Sequence, residues 1–231
     1  MRLNKFIASH SQFSRRKADE LIENGKILIN GVLTKKLGTQ INPEKDKIKV
    51  NGKLISPHTT KVYFALNKPA NFITTRSDDL KRKTVMDLVP KIPNLKPVGR
   101  LDKDTEGLLL LSNDGDFINK LTHPKFECKK EYYVIIKGLL TEKEKRLLEK
   151  GTRLEGKKTS PAKIKIIKES ETQTILTIKI HQGRNRQIRK MFASISLPVK
   201  YLQRIKIGNI SLGSLKKGSY RVLTNSEIYI K

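Results

Sequence analysis

The chain has 231 residues, of which 36% are hydrophobic and 31% are charged. This composition excludes a mostly disordered chain, and the length suffices for one medium domain and one small domain. Its 49 Lys and Arg against 22 Asp and Glu give a net charge of +27, which predicts nucleic acid as the partner. A membrane surface or a merely solvated basic surface is the weaker alternative, because no long basic amphipathic helix with an aromatic face is visible.

Cysteine and targeting patterns narrow the class further. The single cysteine, Cys128, excludes an internal disulfide, and it forms no metal-ligand spacing with the four histidines. The N-terminal segment lacks the apolar core of a signal peptide, and the longest aliphatic run, Leu108–Leu111, is too short to span a bilayer. We therefore expect a cytoplasmic protein with no metal and no membrane contact.

Two short helices are predicted first. Leu3, Phe6 and Ile7 share one face of a first helix. Ser14 is placed to cap a second helix, which Gly25 ends. The pattern predicts two short helices at the start of the chain.

Small hairpins are predicted next. The pairs Asn30-Gly31 and Asn51-Gly52 each lie between residues of strand character, which is typical of type I′ turns with positive φ at both central residues. Residues 1–55 are predicted to form one domain, residues 56–60 a linker, and residues 61–231 a second domain.

A basic cluster begins the second helix. Arg15, Arg16 and Lys17 stand where the helix dipole disfavours cations, so an external anion is one explanation and a solvated surface is the other. The segment RLNKFIAS…SRRKADELIENGKILINGV resembles the S4 RNA-binding domain over about fifty residues. The resemblance implies that the three cations bind RNA.

The remainder of the chain mixes strands and helices without strict alternation, which predicts an α+β fold with a mixed, largely antiparallel sheet and flanking helices. The candidate strands are VYFALN, LLLLSN, EYYVIIKG, AKIKIIKE, TILTIKI and KYLQRIKIG. The candidate helices are DFINKLT, TEKEKRLLEKG with Thr141 and Glu144 as a capping box, and NRQIRKMFASI. The segment GTRLEGKKT resembles a Walker A loop, but Lys158 replaces the required Ser or Thr, so it is predicted to be a surface turn.

The candidate chemistry lies with carboxylates. No Ser/His/Asp order and no G-x-S-x-G elbow is present. In a strongly positive field an aspartate is held ionised, so it would act as a nucleophile or a base rather than as an acid. Aspartates near the basic HQGRNRQIRK segment are the best candidates.

The motif GRLDKDTEGLLLLSNDG resembles the catalytic motif of pseudouridine synthases of the RsuA/RluB type. The segments LNKP, HPKFECKKEYYV, GRNRQIRKMF and LQRIKIGNISLGSLKKGSYRVL follow in the family's order, so the resemblance covers nearly the whole chain. It implies isomerisation of uridine in RNA: the N1–C1′ bond breaks, the uracil turns, and C5 joins C1′, without cofactor or metal. The segment TTRSDDLKRKTVMDLVP favours the branch that acts on large-subunit (23S) ribosomal RNA over the small-subunit branch.

The resemblance assigns Asp102 as the essential aspartate, which either adds to the sugar or removes a sugar proton. Asp104 is the competing carboxylate and is expected to be a solvated or loop-capping residue. Arg189 corresponds to the family's partner of the catalytic aspartate; the alternative is an arginine that contacts phosphate. Tyr132 corresponds to the active-site tyrosine, and Tyr133 is expected on the opposite face of the same strand.

The predicted RNA contacts outside the reacting centre are all basic. They are Arg15, Arg16, Lys17, Lys68, Arg100, Arg184, Arg186 and Lys190. Bracing the loop is the alternative role for Arg100. We expect a monomer that acts on ribosomal RNA; the alternatives are a non-catalytic ribosome-associated RNA-binding protein and an RNA glycosidase or nuclease.

Overall fold

The computed structural model describes residues 1–56 and 60–229. They form two compact units. The first contains the described residues of Met1–Val62, with Lys91–Leu95 and Asn113–Gly115; the second contains Tyr63–Pro90, Lys96–Ser112 and the described residues from Asp116 onward. The linker predicted at 56–60 stays a prediction, and its residues 57–59 lie outside the described residues. No helix in the described ranges is long and apolar enough to cross a membrane.

The first unit packs two helices on a small antiparallel sheet of order β2-β1-β3-β4. Its elements are α1 (Leu3–His10), α2 (Arg15–Glu23), β1 (Ile27–Ile29), β2 (Val32–Thr34), β3 (Ile48–Val50) and β4 (Lys53–Leu54). The predicted apolar face of α1 is confirmed, because Leu3, Phe6 and Ile7 are all buried. The predicted cap is also confirmed, since the Ser14 side chain accepts a hydrogen bond from the Lys17 backbone N–H at 3.1 Å.

Both predicted Asn-Gly turns are confirmed. Asn30 and Gly31 have φ of 52° and 89°, and Asn51 and Gly52 have φ of 49° and 78°. Positive φ at both central residues matches the twist of the flanking strands. The two turns therefore set the register of β1 with β2 and of β3 with β4.

The second unit is built on one nine-stranded sheet, with a separate two-stranded hairpin. Its strands are β5 (Tyr63–Lys68), β6 (Lys96–Val98), β7 (Glu106–Ser112), β8 (Lys130–Lys137), β9 (Arg153–Leu154), β10 (Lys157–Lys158), β11 (Lys163–Ser170), β12 (Gln173–Ile180), β13 (Val199–Ile207), β14 (Ile210–Ser211) and β15 (Tyr220–Val222). Its helices are α3 (Gly115–Thr122), α4 (Glu142–Lys150), α5 (Gln187–Ala193) and α6 (Asn225–Ile228), with short 3₁₀ helices at Val85–Leu88 and Pro124–Phe126.

The sheet order is β11-β12-β8-β13-β7-β5-β15, with β14 beside β13 and β6 beside β7. All its described pairs are antiparallel except β13 with β7. Strand β7 is central, and all seven of its residues are buried. A leucine run rather than an alternating pattern is the signature of a strand covered on both faces. The predicted α+β class with a mixed, largely antiparallel sheet is confirmed.

The helix boundaries follow local chemistry. The predicted capping box of α4 is confirmed by the reciprocal bonds of Thr141 and Glu144. Helix α5 begins at Gln187, two residues later than the NRQIRKMFASI pattern predicts, because Arg186 adopts a left-handed conformation with φ of 50°. The segment with the Walker-like spacing forms the β9–β10 hairpin, turned at Glu155 and Gly156, so the predicted surface turn is confirmed.

Candidate active site

A groove of about 760 Å³ opens in the second unit. Its walls come from the loop before β7, the start of β8, the segment between β12 and α5, and strand β13. Five of the predicted site residues line it together: Arg100, Asp102, Tyr132, Arg184 and Arg186. Residues from three separate sequence motifs therefore meet around one cavity.

The loop that carries Asp102 is held on both sides. The Thr74 hydroxyl donates to the Leu101 carbonyl at 2.8 Å, and it accepts from the Leu101 backbone N–H at 3.3 Å. The Thr105 backbone N–H donates to the Asp102 carbonyl at 3.1 Å. Because its neighbours are bonded in this way, the loop presents Asp102 to the groove in a defined position.

Lys68 also holds the Asp102 loop in place. Its side chain is fully buried, and its ammonium group donates to the carbonyls of Pro69, Lys103 and Thr105 at 3.0, 3.3 and 2.7 Å. The prediction that Lys68 contacts RNA is therefore wrong, because a buried ammonium whose three hydrogens are used cannot reach a phosphate. The lysine of LNKP positions the Asp102 loop instead.

Lys68 should also make stability depend on pH. Burial lowers the pKa of Lys68 to about 8, against the opposing charges of Asp104, Glu106 and Asp102. Between about pH 8 and the ordinary lysine pKa of about 10.4, the unfolded chain binds this proton and the folded chain does not, so stability rises with pH. We expect the free energy of unfolding of the wild type, minus that of Lys68→Met, to increase between pH 8 and pH 10.

Urea unfolding of both proteins at pH 7, 8, 9 and 10 measures this difference. The other titrating groups are common to both proteins, so their contributions largely cancel. A difference that stays constant or shrinks with rising pH would show that burial does not lower the pKa of Lys68.

Asp104, rather than Asp102, holds the arginine pair. Arg186 binds Asp104 through two hydrogen bonds of 3.1 Å, and Arg189 lies 3.2 Å from an Asp104 carboxylate oxygen. Partial burial alone would raise the pKa of Asp104, but the hydrogen bond from Arg186 and the charges of Arg189 and Arg186 outweigh it and lower the pKa. The expected pairing of Arg189 with Asp102 is therefore wrong, and so is the expectation that Asp104 is only solvated or caps the loop.

The two carboxylates differ in what remains available to a substrate. In the described part of the chain, Asp102 has no ion pair and its side chain makes no hydrogen bond, whereas both oxygens of Asp104 are bonded to Arg186. Asp102 lines the groove and Asp104 does not. The negative charge of Asp102 still contributes to the raised pKa of Arg186, after the larger effect of the Asp104 hydrogen bond. Asp102 is thus the carboxylate that can meet a substrate.

The other predicted RNA-binding residues fall into separate groups. Arg184 donates to the carbonyls of Lys157 and Lys158 at 2.9 and 2.6 Å, which ties the segment before α5 to the β9–β10 hairpin. Lys190 pairs with Glu155 of the same hairpin at 2.6 Å and does not line the groove. Arg15, Arg16 and Lys17 are exposed in the first turn of α2, as expected for cations that could bind an external anion.

Tyr132 lies opposite Arg204 in the β8–β13 pair and is almost fully buried in the groove wall. Tyr133, on the other face of β8, packs edge-to-face with Tyr201, with ring centroids 6.2 Å apart. Lys130 also lines the groove and donates to the carbonyls of Cys128 and His181. Burial lowers the pKa of Lys130.

The sequence analysis missed Arg204, which is 3% exposed and lines the groove. A signal for it exists in strand β13, where Leu202 and Arg204 are two residues apart and therefore face the same side of the sheet. An arginine beside an inward-facing leucine in a strand is a candidate buried cation.

Comparison with known proteins identifies the class to which this fold and groove belong. The family model described as RNA pseudouridylate synthase matches residues 62–194, and the S4 domain model matches residues 1–48. The chain belongs to the RNA pseudouridylate synthase family and is an RNA pseudouridine synthase with an N-terminal S4 domain.

Relatives match over the full length. The chain is 45% identical to the ribosomal large subunit pseudouridine synthase B of Bacillus subtilis (strain 168), over 98% of this chain and 93% of the relative. It is 38% identical to the dual-specificity RNA pseudouridine synthase RluF of Escherichia coli (strain K12), over 99% of this chain and 77% of the relative. A solved crystal structure of a pseudouridylate synthase superimposes with a TM-score of 0.73 and 34% identity, covering 100% of this chain and 99% of that one.

Proposed function

We propose that the protein converts a uridine of ribosomal RNA to pseudouridine, without a cofactor, and that Asp102 is the residue that acts on the ribose. The observation that carries this proposal is the position of Asp102, which has no ion pair among the described residues and lines a basic groove beside Tyr132. The reaction breaks an N–C bond and forms a C–C bond within one nucleotide, with no net oxidation, so acid–base and covalent chemistry suffice.

Asp102 meets the main demand of the reaction. When the N1–C1′ bond breaks, its electron pair leaves with uracil and C1′ becomes electron-poor. A carboxylate can add to C1′, as in retaining glycosidases, or can remove a proton from the neighbouring sugar carbon. Both routes require an ionised carboxylate within reach of the ribose. The hydrogen bonds that hold the loop keep this carboxylate at the groove.

Tyr132 and the basic groove deal with the base and the backbone. A base in a duplex must leave the stack before its glycosidic bond can be reached, at a cost of a few kcal/mol. The Tyr132 ring offers a surface on which the extruded uracil can stack. Its hydroxyl can assist the loss of the C5 proton to solvent after the new bond forms. Arg100, exposed at the groove, is placed to bind a flanking phosphate or to fill the gap in the RNA stack.

Large-subunit ribosomal RNA is the substrate that we favour. The B. subtilis relative, named for the large subunit, covers nearly the whole of this chain. Loops of structured ribosomal RNA also contain weakly paired uridines, for which flipping costs least. We further propose that the protein acts as a monomer in the cytoplasm during ribosome biogenesis.

Mapping pseudouridines across total ribosomal RNA from cells with and without this gene tests the function. Carbodiimide adducts of pseudouridine stop reverse transcriptase, and isomerisation leaves the RNA mass unchanged. We expect at least one stop in large-subunit RNA to disappear with the gene and to return when the purified protein is added. Unchanged stops would favour a non-catalytic RNA-binding protein, and release of free base or strand cleavage would indicate a glycosidase or nuclease.

The S4 domain should contribute by neutralising phosphates. Changing Arg15, Arg16 and Lys17 to Gln should weaken binding to a large-subunit rRNA fragment and make the plot of log K against log salt concentration less steep. The slope should fall by about 0.7 for each phosphate that the variant no longer neutralises, because fewer counterions are released on binding. Filter binding at several salt concentrations measures this.

A charge-matched control separates direct phosphate binding from net charge. Lys163, Lys165 and Lys168 are exposed on β11 and are not predicted to bind RNA. Changing these three lysines to Gln removes the same charge and should leave the slope nearly unchanged. Equal slopes for the two triple variants would contradict a direct role for the α2 cluster.

A further inference from the structure

Arg204 lies in the centre of the sheet. On β13 it pairs with Tyr132 of β8 on one side and with Gly107 of β7 on the other. Asp102 lies in the loop just before β7, so these neighbouring strands bring Asp102, Tyr132 and Arg204 to the same groove. Arg204 is 3% exposed, which is unusual for a side chain that never loses its charge.

The guanidinium of Arg204 is only partly satisfied. Its Nε donates to the Leu108 carbonyl at 2.7 Å, while its Nη2 is buried with no hydrogen-bond partner. Across residues 1–56 and 60–229, Arg204 forms no ion pair with a carboxylate. Buried charges in proteins are normally paired and fully hydrogen-bonded. A groove-lining guanidinium that is neither indicates an acceptor supplied by a ligand.

The surrounding charges point the same way. The positive charge of Arg204 contributes to lowering the pKa of Lys68 and of Lys130, after the larger effect of burial on each. Lys68 and Arg204 are buried and Lys130 is half-buried, and the charge of Arg204 acts on both lysines. An oxygen that carries or gains negative charge would be strongly stabilised there.

The groove wall indicates which oxygen this is. Apolar groups line the same cavity as Arg204: Leu202, Ile207, Ile180, Val98 and the Tyr132 ring. Apolar surface beside a small number of hydrogen-bond donors suits a planar base. Phosphates are better served by Arg100 and Arg186, which are exposed and remain in contact with water.

We propose that Arg204 donates a hydrogen bond to a carbonyl oxygen, O2 or O4, of the flipped-out target uracil and thereby holds the base; a bond to O4 would also select uracil. This inference rests on the proposed function and adds to it a residue that binds the substrate base. Cytosine has an amino group in place of O4, so a donor facing that position would reject it. When the N1–C1′ electron pair passes to uracil, negative charge spreads onto O2 and O4. The guanidinium then holds the charged base in the groove until C5 bonds to C1′.

Atomic substitution in the RNA tests the hydrogen bond directly. The substrate is an rRNA hairpin that contains the uridine mapped above, with uridine, 2-thiouridine or 4-thiouridine at that single position. Sulfur is a weaker acceptor than oxygen. The wild-type single-turnover rate should fall by about ten- to a hundredfold for one of the two thio substrates, because a hydrogen bond to a charged donor is weakened. The sensitive position identifies O2 or O4.

Variants assign the effect to Arg204. In Arg204→Met the rate on plain uridine should fall by a similar factor, and the thio substitution should make little further difference. Arg204→Lys keeps a charge and can still donate a hydrogen bond, so an intermediate rate and a reduced thio effect are expected. This variant tests the hydrogen bond if Arg204→Met does not fold. Arg146→Met, which removes an exposed arginine of α4, should keep the wild-type thio ratio.

The outcomes separate the two proposals. Two results would overturn the Arg204 hydrogen bond and leave the proposed function standing. In the first, the wild type converts both thio substrates as fast as uridine. In the second, both Arg204 variants keep the wild-type ratio of the uridine rate to the thio rate. A third substrate replaces the 5′ phosphate of the target by a methylphosphonate. If this change slows the wild type but not the Arg204 variants, while the thio bases slow both alike, Arg204 binds phosphate and the inference is wrong. No conversion of uridine by the wild type overturns the proposed function and this inference with it.

Discussion

Asp102→Asn is expected to lower pseudouridine formation by more than about 10⁴-fold, because an amide can neither add to C1′ as a nucleophile nor remove a sugar proton. RNA affinity should change little, since Asp102 makes no ion pair in the described structure and its replacement leaves the loop bonds through Thr74, Thr105 and Lys68 in place. Single-turnover assays on the mapped rRNA hairpin, with filter binding, measure the two properties separately.

Asp104→Asn is the matched control, because it neutralises a carboxylate two residues away on the same loop. Asp104 anchors Arg186 and Arg189, so its variant should lose activity by a smaller factor, about ten- to a hundredfold, through poorer positioning. The reverse order, with Asp104→Asn inactive and Asp102→Asn turning over, would show that Asp104 is the catalytic carboxylate.

Gly107→Ala is expected to destabilise the second unit by about 3–5 kcal/mol. A Cβ on Gly107 would lie 2.3 Å from the Arg204 carbonyl oxygen and 2.8 Å from the Arg204 nitrogen, so β7 and β13 would have to separate. The glycine also has φ of 97°, which L side chains rarely adopt. Collision with backbone in a close-packed centre is among the few causes of such large effects. Urea unfolding measures the change in the free energy of unfolding.

Gly218→Ala separates the two causes. Gly218 has φ of 81°, but a Cβ there would meet no atom within 4 Å. Its alanine variant should therefore cost only the conformational penalty, about 1–2 kcal/mol. Equal losses of stability for the two variants would show that the close approach of β7 and β13 contributes little. A larger loss for Gly107→Ala, with reduced activity, would link this approach to the position of Arg204.

Much of the fold follows from short-range chemistry. The Asn-Gly pairs at 30–31 and 51–52 are turns because these residues tolerate positive φ, and the Thr141–Glu144 box begins α4 because it satisfies the free N–H groups of the first turn. The run Leu108–Leu111 is a central strand because no polar face interrupts it. Each of these signals lies within a few residues, so the sequence contains all of it.

The cavity-lining motif residues were also predictable, because GRLD, KEYYV and GRNRQIR each carry polar side chains beside apolar strands. The prediction that failed was which aspartate pairs with the arginines. Arg186 and Arg189 are 82 and 85 residues from Asp104 along the chain. Which of two aspartates on one loop receives the arginines depends on where α5 lies relative to that loop, and no local pattern states it.

The sequence by itself determined most of the longer helices and strands, the basic character and the set of side chains available for chemistry, since these depend on neighbours along the chain. Only the tertiary structure decided that Lys68 is buried under the loop, that Asp104 binds both arginines, and that Arg204 lines the groove and has a buried nitrogen with no hydrogen-bond partner. The physical reason is that burial and ion pairing depend on distances between strands far apart in sequence, above all on the approach of β7 and β13 at Gly107.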